Sequence, residues 1–244
     1  LSFQYMEERV LLIDADLGMA NMDILMGLAP RYNLSHVLKG KCDFEEAVLK
    51  GPGNIDILPG TSGVEDLINI SSQEVKRLIA ASSQMESKYD IILIDIGAGI
   101  HYSVTNFIMA CDEAIIILTP EPTAIMDAYS LIKYLCKNNY RDKLGIIVNQ
   151  TSNKKEGIDV ANRMRKVIRE YLKIDIEVLG YIPYDKYVKL SVKEQKPFVI
   201  SYPNSKAVQA LKDVSLKMLD RVRNSEARGM KSFFYRVVGI FGRE

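Results

Sequence analysis

Leu11-Leu12-Ile13-Asp14-Ala15-Asp16-Leu17-Gly18-Met19-Ala20-Asn21-Met22-Asp23-Ile24-Leu25-Met26-Gly27-Leu28 is the stretch that decides how this chain reads. A short apolar run ends in two carboxylates, Asp14 and Asp16, with Gly18 and Asn21 close behind. Such a run fits a buried strand of a parallel sheet. Carboxylates at the C-terminal end of that strand lie where open α/β sheets bind their ligands. Two like charges one residue apart repel each other. They suit a cation, an attacking water or a partner's basic group. Taken alone, the Asp-x-Asp pair fits a capped turn after a strand equally well.

Outward from this stretch, apolar runs alternate with helical patterns. Strands are expected at Arg9–Asp14, Ile55–Pro59, Asp90–Ile96, Glu113–Thr119, Leu144–Gln150 and Glu177–Ile182. Helices are expected at Asn21–Leu28, Phe44–Lys50, Gln73–Ser87, Tyr102–Ala110, Ala124–Lys137, Gly157–Leu172, Lys186–Lys193 and Ser205–Arg223. This alternation predicts an α/β fold with a single doubly wound, mostly parallel sheet flanked by helices. The Ile91–Ile94 and Ile115–Leu118 runs predict strands covered on both faces.

Composition sets the bounds. A chain of 244 residues is long enough for one α/β domain with a full core. The net charge of +1 gives no bulk field for nucleic acid, so no direct nucleic-acid binding is expected. Cys42, Cys111 and Cys136 lack C-x-x-C spacing and read as reduced thiols, not as metal ligands. No run of about 18 apolar residues is present, so no spanning segment is expected.

A second acidic strand end follows at Ile91-Ile92-Leu93-Ile94-Asp95, continued by Ile96-Gly97-Ala98-Gly99-Ile100. An Asp in that place holds Mg²⁺ through water in phosphate-loop NTPases. Glycines there let backbone N–H groups approach a phosphate. A dinucleotide loop on Gly97-x-Gly99 fails, because Tyr102 occupies the third glycine position. A ligand-free turn also fits Asp95 and its glycines taken alone.

Two further places attract attention. Thr119-Pro120-Glu121-Pro122-Thr123 reads as a stiff loop with Thr123 as helix N-cap. At the C-terminus, Met230, Phe233, Phe234, Val237, Val238, Ile240 and Phe241 fall on one arc of about 160° when projected on a helix. Lys231, Ser232, Arg236 and Arg243 lie outside that arc. Such a helix fits the interface of an anionic membrane. It also fits docking on the domain's own core, and the two can alternate. The division expected is therefore 1–223 for the main domain, 224–229 for a polar hinge and 230–244 for the amphipathic helix.

The Asp14–Asp23 stretch, followed by Asn33-Leu34-Ser35-His36-Val37-Leu38, resembles the MinD/ParA deviant-Walker ATPases. Within them it resembles the flagellar-number regulators of the FlhG, FleN and YlxH type. The resemblance covers the chain from about Val10 onward. It implies ATP and Mg²⁺ as cofactors, with Asp16 positioning the attacking water and Asp14 and Asp95 serving the Mg²⁺ site. Gly97 and Gly99 would approach the γ-phosphate; Ile96 stands where relatives carry a hydroxyl residue. Asn149 would meet the adenine edge, and the Ile182-Pro183-Tyr184-Asp185 loop would line its other side through Pro183 and Asp185. For Asn149, simple turn chemistry is the alternative. Glu121 and Asp127 match positions at an ATP-dependent homodimer or partner face. Phe233, Phe234, Val237, Ile240 and Phe241 match a membrane-targeting helix. The partners implied are the flagellar GTPase FlhF, basal-body switch proteins or a flagellar transcription activator. The place implied is the cytoplasm and, reversibly, the inner face of the cell membrane.

One part of the pattern is missing. Relatives open with a strand, a Gly-rich phosphate loop and a helix, and no G-x-x-x-x-G-K-[ST] occurs in these 244 residues. Residues 1–10 read as the tail of the helix after such a loop. The expectation is a fragment of a longer protein; the alternative is a protein that lost the loop. In either case these residues alone are expected to bind ATP weakly and hydrolyse it negligibly. The function expected is a membrane-cycling, ATP-dependent dimeric switch for flagellar number or placement. The alternative is a non-hydrolysing membrane-associated scaffold. A phospho-acceptor receiver domain, which also gathers carboxylates at strand ends, fits poorly at this length.

Overall fold

The computed structural model describes residues 1–16, 22–60, 74, 77, 82, 85–140, 143–224 and 229–241. The chain divides into two compact units. The first comprises residues 1–110, 192–200 and 228–244, and the second residues 111–191 and 201–227.

In the first unit, β1 (Val10–Asp14) lies between β3 (Asp56–Leu58) and β4 (Ile91–Asp95), parallel to both. β2 (Leu49–Lys50) adds an antiparallel edge to β3. Leu11 of β1 and Ile57 and Leu58 of β3 are fully buried, which places these neighbouring strands in the core of the unit. The short helices are α1 (Met22–Leu25), α2 (Leu34–Leu38) and α3 (Phe44–Ala47). α2 opens with a capping box: Asn33 Oδ1 accepts from the His36 N–H, and His36 Nδ1 accepts from the Asn33 N–H. α4 (Tyr102–Ala110) follows β4.

In the second unit, β5 (Glu113–Leu118), β6 (Lys143–Thr151) and β7 (Glu177–Pro183) form a parallel sheet in that order. α5 (Pro122–Lys137) and α6 (Lys154–Leu172) connect its strands, and α7 (Lys186–Glu194) follows β7. α8 (Phe198–Ser201) belongs to the first unit up to Ile200. α9 (Lys206–Arg223) packs on β7, where Ile147, Leu179 and Val214 form a buried cluster. A Cβ on Gly180 would lie 2.6 Å from Val214 Cγ2, so glycine is what allows this close approach. α10 (Gly229–Phe241) returns to the first unit and packs on α4.

The parallel strands and the longer flanking helices are those the sequence predicts, while α2 and α8 are helices it does not predict. Ladder hydrogen bonds among the described residues join these strands in groups of four and three. One expectation is corrected: the apolar runs of β4 and β5 are not covered throughout. Ile92, Leu93 and Ile94 are only half-buried, and Ile117 is 62% exposed. A smaller correction concerns α5. Its N-cap is Glu121, not Thr123, because Pro122 fits the first helical position and starts the helix earlier. The expected Phe44–Lys50 helix stops at Ala47, since residues 49 and 50 pair with β3. Residues 1–10 hold a 3₁₀ turn, Gln4–Met6, before β1. Most of the expected Gln73–Ser87 helix and of the 224–229 hinge lies outside the described residues.

Candidate functional site

β1 and β4 run parallel in a register that pairs Asp14 with Asp95. The Ala15 N–H continues the pairing by donating to the Asp95 carbonyl at 2.8 Å. Both carboxylates therefore stand at the C-terminal ends of neighbouring strands, with Asp16 just beyond.

The three acids differ in surroundings. Asp14 is 4% exposed. Its Oδ1 accepts from the Asp16 N–H at 3.0 Å and its Oδ2 from the Met22 N–H at 3.4 Å. It thus holds together the turn that leads out of β1. Burial pushes its pKa up; the two N–H bonds work against that shift, and Asp16 and Asp23 add to it. Asp95 is open to solvent on one side. Partial burial raises its pKa first, and the like charges of Asp14 and Asp16 raise it further. Asp16 is half-buried beside Gly97. A Cβ at Gly97 would lie 2.9 Å from Asp16 Oδ1, so glycine clears the space the carboxylate fills. Gly99 adopts φ +108°, a conformation that favours glycine.

Sequence reasoning missed Gly60. A Cβ there would collide with the Asp14 carbonyl, so the turn after β3 presses on Asp14 from the strand's other side. The preceding carbonyl, of Pro59, accepts from the Leu34 N–H at 3.1 Å and ties this turn to the start of α2. The Pro-Gly pair after an apolar run was the available signal.

Among the described residues, no group of three His, Cys, Asp or Glu side chains is arranged to hold a metal directly. Two acidic strand ends do fit Mg²⁺, which keeps most of its waters and uses one or two carboxylates with substrate phosphates. Asp95 is the open carboxylate of the pair. Asp14 has its oxygens engaged by backbone and supports from behind.

In the second unit, β6 and β7 bring Asn149 and the Pro183–Asp185 loop to neighbouring strand ends, with Thr151 paired to Pro183. The Tyr184 N–H donates to the Thr151 carbonyl at 2.8 Å. Asn149 Oδ1 accepts from the Gln150 N–H at 2.9 Å, which is turn chemistry. Asp185 accepts from the Tyr187 and Ala207 N–H groups at 3.0 and 3.3 Å and so joins the starts of α7 and α9. Glu121 and Asp127 are both exposed, and Glu121 Oε2 accepts from the Thr119 hydroxyl at 3.1 Å.

The tail residues lie elsewhere. Phe233, Phe234 and Val237 are buried where α10 meets the first unit. The side chains of Ile240 and Phe241 lie outside the described residues, as do Leu17 to Asn21.

Parallel strands ending in carboxylates, with glycine turns beside them, define an α/β protein with a ligand site at its strand ends. Residues 1–146 match a family described as an AAA domain. FleN of Pseudomonas aeruginosa, an antiactivator, is 35% identical over 93% of this chain and 81% of its own length. YlxH of Helicobacter pylori, a flagellum site-determining protein, is 31% identical over 96% of this chain and 81% of its own. The septum site-determining protein MinD of Pyrococcus horikoshii, solved with Mg-ADP, superposes with a TM-score of 0.70 at 27% identity. That alignment covers 89% of this chain and 86% of the MinD chain. The chain belongs to the MinD/ParA-type ATPase family, with FleN and YlxH among its relatives.

Proposed function

We propose that this chain is an ATP-dependent switch that cycles between cytoplasm and membrane and sets the number or placement of flagella. The observation that carries the reading is the register of Asp14 with Asp95, with Asp16 adjoining, at adjacent parallel strand ends. The names of the FleN and YlxH relatives support the flagellar assignment. The Mg-ADP bound to a MinD relative supports the choice of nucleotide and metal.

In this reading Mg²⁺, when bound, neutralises the charge building up on the phosphates. Asp95 would hold the metal through its waters. Asp14 keeps the β1 turn in shape through its two backbone bonds. Asp16 would orient the attacking water, and the backbone at Gly97 and Gly99 would leave room for the phosphate. Asn149 and the Pro183–Asp185 loop hold the base. Glu121 and Asp127 belong to the face used by a second copy or by a partner, which would be FlhF, a basal-body switch protein or a flagellar transcription activator. The tail helix α10 provides the membrane contact. These 244 residues lack the G-x-x-x-x-G-K-[ST] loop, so alone they are expected to hold ATP weakly.

The test is ATP turnover and ATP binding by the full-length protein, wild type against Asp16→Ala. Binding should be retained while turnover falls about a hundredfold. Equal turnover would remove Asp16 from its role. A wild type that binds ATP without hydrolysing it would favour the second reading, a membrane-associated scaffold. That reading draws on the engagement of both Asp14 oxygens by backbone.

A further inference from the structure

We propose that Glu86 is a latch that holds α10 shut against its own unit, so that one surface carboxylate governs the tail's access to membrane. The membrane clause rests on the function proposed above; the latch itself does not.

A helix begins with N–H groups that have no acceptor inside the helix. The acceptor is usually the side chain just before the first turn. Here it comes from far away in sequence. Glu86 lies in a helical turn at residues 85–88, and its Oε1 accepts from the Lys231 N–H at 2.8 Å across a separation of 145 residues. The carboxylate also meets the positive end of the helix dipole there. Gly229, the first residue of α10, has φ +75°, and a Cβ on it would lie 2.5 Å from Glu86 Oε1. The backbone at this position therefore favours glycine, and the lack of a Cβ lets Glu86 reach the helix start without shifting.

What the latch closes is the apolar face of the tail. Met230, Phe233, Phe234 and Val237 are each no more than 6% exposed. The Phe233 ring meets Phe107 of α4 at 6.3 Å and Phe234 at 5.2 Å. The residues that would enter a membrane are thus the ones buried on α4, and a single α10 cannot satisfy both at once. Glu86 itself is exposed at the edge of an open concavity that it shares with Lys231, Ser232, Tyr235 and Arg236. The latch can open without disturbing the buried strands. An anionic surface would pull on Lys231 and Arg236 and repel Glu86, which favours the open form.

The experiment is backbone hydrogen exchange along α10 in the full-length protein, for wild type, Glu86→Gln and Glu86→Lys. Flotation follows with vesicles of phosphatidylcholine alone and with added phosphatidylglycerol. Glu86→Lys should speed exchange at Lys231 and through the helix by about fivefold, with Glu86→Gln in between. Binding to the anionic vesicles should rise in the same order. Unchanged exchange in both variants would overturn the latch. Faster exchange with no vesicle binding by any variant would uphold the latch and overturn the membrane reading beneath it.

Discussion

Carboxylates gather at strand ends twice in this chain, and their surroundings are opposite. In the second unit, Glu113 and Glu177 begin β5 and β7, and Arg221 of α9 reaches both. Its guanidinium lies 2.6 Å from Glu113 and 2.5 Å from Glu177 and is only 9% exposed. Lys143 adds a second cation and donates to the Arg221 carbonyl. In the first unit, Asp14 and Asp95 lie side by side, and the charges that bear on Asp95 are those of Asp14 and Asp16, of its own sign. The first cluster is complete within the protein. The second gains stability from an arriving cation. Among the described residues, unbalanced charge of this kind marks a candidate functional site, and balanced charge at the opposite strand ends marks structure.

The largest expected effect breaks the balanced cluster. Arg221→Ala should cost about 3 kcal/mol in denaturant unfolding, because the partly buried Glu113 loses its nearest cation, while the exposed Glu177 adds little. Arg221→Met should cost less, since the side chain still packs. A loss for Arg221→Ala within surface-mutation range would mean that water already compensates these glutamates. Burial outweighs Arg221 at Glu113, whose pKa remains raised, so the pair is not a source of large net stability.

A smaller effect sharpens the account of the unbalanced cluster. Gly97→Ala should displace the Asp16 carboxylate and lower turnover by about fivefold, with thermal stability little changed. Loss of fold instead of turnover would make Gly97 a packing residue.

Much of this was legible in the sequence, for identifiable reasons. Strands β1, β4 and β5 were readable because local apolar runs end in polar residues, and the Asp14 and Asp95 strand ends followed. The Thr123 cap was misread because Pro122 competes for the first helical position, a preference stronger than a threonine hydroxyl. The two-residue strand β2 was hidden inside a helical pattern, since only its partner β3 makes it a strand. Arg221 stood unremarked in the last turn of α9, where a basic residue is ordinary. Its importance depends on Glu113 and Glu177, brought near only by the fold. Glu86 was invisible for the same reason, while Gly60 carried only the signal of a Pro-Gly pair after an apolar run. Amphipathicity in the tail predicted an apolar face but could not say which surface takes it.

The most direct test of the central contrast is one set of melting curves of the full-length protein, wild type and Asp95→Asn, with and without Mg-ATP. The Asp95 pKa is raised in the folded state, so the fold favours the protonated acid. Its ionisation therefore lowers stability as pH rises through the carboxylate range, and the full benefit of the protonated form is present below it. Without ligand, Asp95→Asn should melt higher than wild type at neutral pH and lose part of that pH dependence. With Mg-ATP, wild type should gain stability and the variant should gain much less. A variant that melts lower without ligand, or gains as much from Mg-ATP as wild type, would contradict the assignment of the β1–β4 carboxylates to the metal-nucleotide site.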